Sequence, residues 1–169
     1  MTDAMKEVFV AAGSNVEPER HLRDGLKALA SAFGVLRLSP VYRNAPVGFD
    51  GDDFLNMVVG FETDAGIDQV AAQLARIEAD AGRVRGEEKF GPRTLDLDLL
   101  LYGDSVQESG GIQVPRDEIT KYAFVLRPLA DIAGDRVHPA EAVTFAELWS
   151  GFDQSGHRLE AVDLMWVSQ

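Results

Sequence analysis

Cysteine is absent from this 169-residue sequence. Disulfides, thiolate metal sites and thiol nucleophiles are therefore excluded. Positive charge is scarce: 16 Lys and Arg face 28 Asp and Glu, a formal net charge of -12. A field of that sign repels nucleic acid and anionic membrane surfaces, so an anionic ligand has to be captured locally, by a basic loop or a bound metal. Long apolar runs are missing too, and none approaches the roughly 18 residues that span a bilayer. The opening segment, MTDAMKEVFV, has no basic leader followed by an apolar stretch. The expectation is a cytoplasmic protein with neither nucleic acid nor membrane as partner. Glycine cradles for nucleotides are lacking, with no GxxxxGK[ST] and no GxGxxG, and there is no GxSxG elbow. Any use of a nucleotide must then rest on metals and arginines. The three histidines, His21, His138 and His157, show no metal-ligand spacing and read as surface or structural.

What is present suits one compact domain over residues 1–169. The hydrophobic fraction of 46% supports a sizeable core without staples. Val8 to Ala12 reads as a first strand, ending in the turn signal Gly13-Ser14-Asn15. Pro18 suits a helix start. Leu22, Leu26, Leu29 and Phe33 mark one helical face, closed by Gly34. Val35 to Tyr42 reads as a second strand with Pro40 at an edge or bulge, and Phe54 to Thr63 as a third. Ile67, Val70, Ala71, Leu74 and Ile77 define a second helix closed by Gly82, and Thr94 to Tyr102 a fourth strand. This order, β-α-β-β-α-β, predicts an α+β fold with a ferredoxin-like core: an antiparallel sheet with both helices on one face. C-terminal additions follow. A short strand ends at Val114-Pro115. Tyr122 to Ala133 is helical but interrupted by Pro128. Thr144 to Glu147 is a capping box, and Leu159 to Val167 is a final strand. Tyr42, Trp149 and Trp166 read as core.

The densest chemistry lies in RVRGEEKFGPRTLDLD, residues 83–98. Arg83, Arg85, Lys89 and Arg93 precede Asp96 and Asp98, which sit two apart inside an apolar run. On a strand such residues project from the same face. Two like charges side by side in strand-averse residues are a poor choice unless a cation lies between them. Magnesium is the natural occupant, satisfied by carboxylates and phosphates together. Two such ions would align an in-line displacement. The arginines would meet phosphate oxygens from a loop that closes over the ligand. The blander alternatives are a solvated polar face on the strand and loop arginines paired with Glu87 and Glu88.

Phe54 and Asn56 share a face of the third strand. With Phe124 they make a sensible heterocycle site, a flat ring between phenylalanines read by an amide. Core packing is the alternative for each Phe. Glu78 falls on the apolar stripe of the second helix, which places it at an edge or in contact with a ligand.

The segment Gly91-Pro-Arg-Thr-Leu-Asp-Leu-Asp-Leu-Leu100 resembles the signature of the 6-hydroxymethyl-7,8-dihydropterin pyrophosphokinase family. The resemblance continues in Gly13-Ser14-Asn15, Tyr42 to Pro46, Phe54-Leu55-Asn56, Glu78, Gly82 to Arg85, Val114-Pro115 and Phe124. It implies transfer of pyrophosphate from ATP, as co-substrate, to the pterin hydroxymethyl group in folate biosynthesis, with release of AMP. It implies two magnesium ions on Asp96 and Asp98, and catalytic arginines at Arg83, Arg85 and Arg93. Asn44, Pro46, Val47, Phe54, Asn56 and Phe124 are the implied pterin site. Glu78, Leu99, Arg116 and Lys121 join the arginines on the nucleotide side. A monomer with small-molecule substrates is expected. The alternatives are a weakly active or non-catalytic relative, and a small-ligand regulatory module. Arg116 and Tyr122 stand where relatives commonly carry His and Arg; Arg116 and Lys121 are the candidates to supply that charge.

Overall fold

The protein is described by a computed structural model covering residues 5–46, 51–82 and 94–164. Strand β1, Lys6–Ser14, is central, and both of its faces are buried. It pairs antiparallel along its whole length with β4, Phe54–Thr63, from Lys6↔Thr63 to Ser14↔Leu55. On its other side lies β5, Asp96–Tyr102, also antiparallel. The register shifts between Phe9 and Val10, whose partners are Leu101 and Leu99. Leu100 is the extra residue of that irregularity, and it is fully buried together with Leu101.

Beyond β4 come β3, Val41–Asn44, and the edge strand β8, Glu160–Val162, while the two-residue β2, Arg37–Leu38, pairs separately with β4. The single second strand expected over 35–42 is thus divided, and Ser39-Pro40 is the reason. Proline has no N–H to give a ladder. Buried Ser39 repairs the gap: its N–H donates to Val58 O (3.0 Å), and its hydroxyl accepts from Val58 N (2.8 Å) and donates to Pro40 O (2.8 Å).

The two faces of the sheet serve different ends. Helix α1, Pro18–Phe33, and helix α2, Ile67–Asp80, cover one face. Leu22, Leu29, Val70 and Leu74 pack there against Val8, Val10, Met57, Val59, Leu97 and Leu99. Helix α3, Ala123–Ala133, and helix α4, Phe145–Ser150, cover the opposite face over Phe9, Val58, Leu100 and Leu101. Each fully buried Leu or Phe stabilises by about 1.5–3 kcal/mol. That explains a departure from expectation: α3 runs unbroken through Pro128. An interior proline costs about 3 kcal/mol, which the burial of Val125, Leu126 and Leu129 outweighs.

The remaining elements follow sequence signals. The strands Gln107–Ser109 (β6) and Ile112–Val114 (β7) form a hairpin. Thr144 caps α4: its hydroxyl accepts from Glu147 N (3.1 Å), and the Glu147 carboxylate accepts from Thr144 N (3.2 Å). The final strand is Glu160–Val162 rather than the longer span expected; Trp166 and Val167 lie outside the described residues. No described helix is long and apolar enough to cross a membrane.

Candidate active site

Strand parity sorts β5 as far as the irregularity at Leu100. Leu97 and Leu99 go to the face under α1 and α2, while Leu100 joins the core under α3. Asp96 and Asp98 share the parity of Leu100 and line a small cavity of about 30 Å³ with Gly13, Asn56, Glu118 and Phe124. The expectation that both carboxylates face one place therefore holds. Asn56 and Phe124, two of the expected heterocycle readers, line the same cavity.

Gly13 is required by this arrangement. It pairs with Asn56 across β1 and β4, and a Cβ added to it would lie 2.4 Å from Asn56 Oδ1. Asn56 in turn donates from its amide to Asn44 Oδ1, and Asn44 donates to Ala45 O (3.1 Å). The two amides thus hold each other in fixed orientation on adjacent strands.

Arg116 brings positive charge to the same place. Its backbone N–H donates to Leu100 O (3.0 Å), so it is anchored to the strand that carries Asp98. Its guanidinium lies 3.7 Å from Asp98 Oδ1 and donates from Nε (3.1 Å) and Nη2 (2.9 Å) to Glu118 Oε1. Partial burial works against the charged form of Arg116, but Asp98 and Glu118 outweigh it and raise its pKa.

A larger pocket of about 520 Å³ opens on the other side of Phe124. Asn44, Pro46 and Tyr122 line it, together with His157, Arg158 and Leu159 from the segment leading into β8. The Tyr122 and Phe124 rings stack with centroids 5.0 Å apart and 22° between planes. Ala123 N, at the start of α3, donates to His157 Nδ1 (3.5 Å), and the His157 ring meets Phe152 edge-on at 5.0 Å. Composition and spacing passed over Glu118, Tyr122 and His157 as site residues. Only Glu118 had a local signal, as a carboxylate two residues after an arginine.

The other expected residues divide. Phe54 and Asn56 are half-buried on the β4 face that bears Val58, hence on the α3 side. Glu78 Oε2 accepts from Leu97 N (2.8 Å), covering a backbone N–H on the sheet-edge strand β5. Leu99 is buried on the face opposite the acidic pair, so its side chain is not part of this site. Lys121 is exposed and donates to Asp117 (2.8 Å), which raises its pKa; it lines neither cavity. Arg83, Arg85, Arg93 and Val47 lie outside the described residues.

Among the described residues no group of three His, Asp or Glu could by itself hold a metal ion. Two carboxylates on one face fit magnesium nonetheless, because that ion is commonly bound by one or two carboxylates with phosphate oxygens and water.

A family model described as 7,8-dihydro-6-hydroxymethylpterin-pyrophosphokinase (HPPK) matches residues 9–134. The chain is similar to the "Folic acid synthesis protein fol1" of Pneumocystis carinii, 33% identical over 142 residues, covering 82% of this chain and 19% of that protein. It is 37% identical over 155 residues to the "Folate synthesis bifunctional protein, mitochondrial" of Pisum sativum, covering 90% of this chain and 29% of that protein. It is 36% identical over 139 residues to the 2-amino-4-hydroxy-6-hydroxymethyldihydropteridine pyrophosphokinase of Haemophilus influenzae, covering 80% of this chain and 86% of that protein. The chain thus spans less than a third of the first two relatives and most of the third.

Proposed function

The chain belongs to the 7,8-dihydro-6-hydroxymethylpterin-pyrophosphokinase family, and we propose that it transfers pyrophosphate from ATP to the hydroxymethyl group of 6-hydroxymethyl-7,8-dihydropterin in folate biosynthesis. The substrate hydroxyl oxygen bonds to the β-phosphorus, the bond from that phosphorus to the α-β bridging oxygen breaks, AMP leaves, and the hydroxyl proton is released. The observation that supports this is the shared cavity: Asp96 and Asp98 line it together with Asn56 and Phe124, as a metal-phosphate centre beside a heterocycle site requires.

The pterin ring lies between Phe54 and Phe124, with its polar edge on Asn56 and Asn44 and its flank against Pro46 and Val47. Flat rings favour such offset stacking. Asp96 and Asp98 hold magnesium, two ions on this reading, which when bound neutralise phosphate charge and polarise the reacting oxygens. Arg83, Arg85 and Arg93 bind the triphosphate, Arg116 adds a donor beside Asp98, and Glu78 borders the nucleotide side. Phosphoryl-type transfer needs positioning and charge neutralisation more than covalent help. A net charge of -12 argues against a nucleic-acid partner. The protein works as a monomer in the cytoplasm on small-molecule substrates.

The test is AMP release from ATP, measured with and without the hydroxymethylpterin and magnesium. AMP formation that requires both is expected. AMP formation indifferent to the pterin, or none with both present, refutes the assignment.

A further inference from the structure

Arg116 is held close to Asp98 without closing on it. Its Nη2 lies 3.7 Å from Asp98 Oδ1, beyond hydrogen-bond distance but within reach of a small rotation. A guanidinium beside a carboxylate ordinarily closes into a two-bond fork. Here the fork is turned elsewhere. Nε and Nη2 both donate to Glu118 Oε1, at 3.1 and 2.9 Å. The backbone on either side is pinned: Arg116 N donates to Leu100 O (3.0 Å), and Ile119 N, of a fully buried residue, donates to Arg116 O (3.2 Å). Glu118 is half-buried and faces the same cavity as Asp96 and Asp98.

We propose that Glu118 is a positioning residue: it holds Arg116 off Asp98, so that the guanidinium serves the phosphates of an incoming nucleoside triphosphate and does not compete with a divalent cation for the carboxylate. A guanidinium carries five N–H donors. Two are engaged by Glu118, and three remain, the Nη1 pair and one on Nη2, to meet phosphate oxygens. Without Glu118, the same arginine would swing onto Asp98 and occupy the oxygens that a cation needs. The paired charges of Arg116 and Glu118 also cancel, so the arginine adds directed donors without displacing the ion electrostatically. This rests on the proposed function, from which it takes the cation and the triphosphate. It adds a residue and a device that function does not require.

Manganese serves as a paramagnetic probe for magnesium, and its binding to the whole protein is read by loss of the free-ion spectrum, without turnover. Glu118→Ala and Glu118→Gln are expected to weaken Mn²⁺ binding at least fivefold. Arg116→Gln is expected to leave it unchanged or tighten it, while weakening binding of α,β-methylene ATP. The decisive variant is the double one, Arg116→Gln with Glu118→Ala, in which Mn²⁺ affinity returns to that of Arg116→Gln alone. If the double variant stays as weak as Glu118→Ala, Glu118 ligates the ion itself and the proposal is overturned. It is equally overturned if the Glu118 variants lose melting temperature but keep Mn²⁺ affinity, or if the unaltered protein binds no Mn²⁺. Absence of AMP release by the unaltered protein counts against the proposed function instead, and the manganese series still decides the tether.

Discussion

Asp98→Asn separates a catalytic carboxylate from a structural one. In the folded protein Asp98 lies 3.7 Å from Arg116. As bare point charges at that distance the pair would attract by about 4 kcal/mol at an effective dielectric of 20, and by about 1 kcal/mol at that of water. The two side chains are 36% and 32% exposed, so water screens them and the lower figure governs, as for other exposed pairs at ~0–1 kcal/mol. Acting the other way, Asp96 shares the cavity, and removing one of two like charges recovers a repulsion of similar size. The net change in unfolding free energy should stay within about 1 kcal/mol, a melting shift of roughly 2–4 °C for a chain of this length. AMP release should fall by roughly a hundredfold or more, the scale of losing one preorganised electrostatic group. Urea unfolding and AMP release on the same preparation give both numbers. A stability loss above about 2 kcal/mol would make Asp98 a structural residue. Activity within about threefold of the unaltered protein would remove it from the metal site.

Other perturbations probe the surroundings. Gly13→Ala drives a methyl group into Asn56 Oδ1; overpacking of this kind costs about 1–3 kcal/mol, and the displaced amide should raise KM for the pterin while leaving KM for ATP nearly unchanged. Tyr42 has its pKa raised to about 12, first by burial and then by donation to Asp131. Because the folded state holds this proton more tightly, stability should fall as pH rises from about 10 towards 12. Tyr42→Phe should abolish that slope in urea melts. Burial lowers the pKa of His138, whose Nδ1 accepts from Ala140 N and Glu141 N, each at 3.0 Å. The unfolded chain then binds the proton more readily, so stability should drop as pH falls below about 6.5. His138→Asn, which can accept the same two bonds without titrating, should flatten that limb.

Legibility in the sequence follows the range of the interaction. Phe54 to Thr63 is a strand with both ends where expected, because alternation within one segment carries the information. The Asp96/Asp98 pair was legible by the same local rule. Parity also puts Leu99 on the opposite face; its expected place on the nucleotide side came from resemblance alone, and the structure keeps its side chain in the core. Lys121 looked like free positive charge, yet Asp117 lies four residues earlier and takes it. Pro40 and Pro128 show the two outcomes of one residue type: at the sheet margin it divides a strand, and in α3 burial overrides it. Arg116 and Glu118 are near in sequence, but their relation to Asp98 depends on a bond to Leu100. His157 reaches Ala123 across 34 residues. No local pattern encodes such pairings.

The partition of the sheet has a consequence for how an acidic protein handles a polyanion. The face under α1 and α2 is spent on packing, and the described acidic pair lies on the other, where α3 begins. That pair alone makes a weak site for an isolated ion, since among the described residues no group of three His, Asp or Glu could hold one. Magnesium completes its shell readily with phosphate oxygens. On the proposed function, then, cation and nucleotide strengthen each other's site: without the phosphates the ion is held only weakly, by the carboxylates and water, and without the ion the phosphates meet a repulsive field from a chain of net charge -12. Binding of ATP should therefore depend steeply on magnesium, while binding of the uncharged pterin ring, held by stacking and amides, should depend on it far less directly.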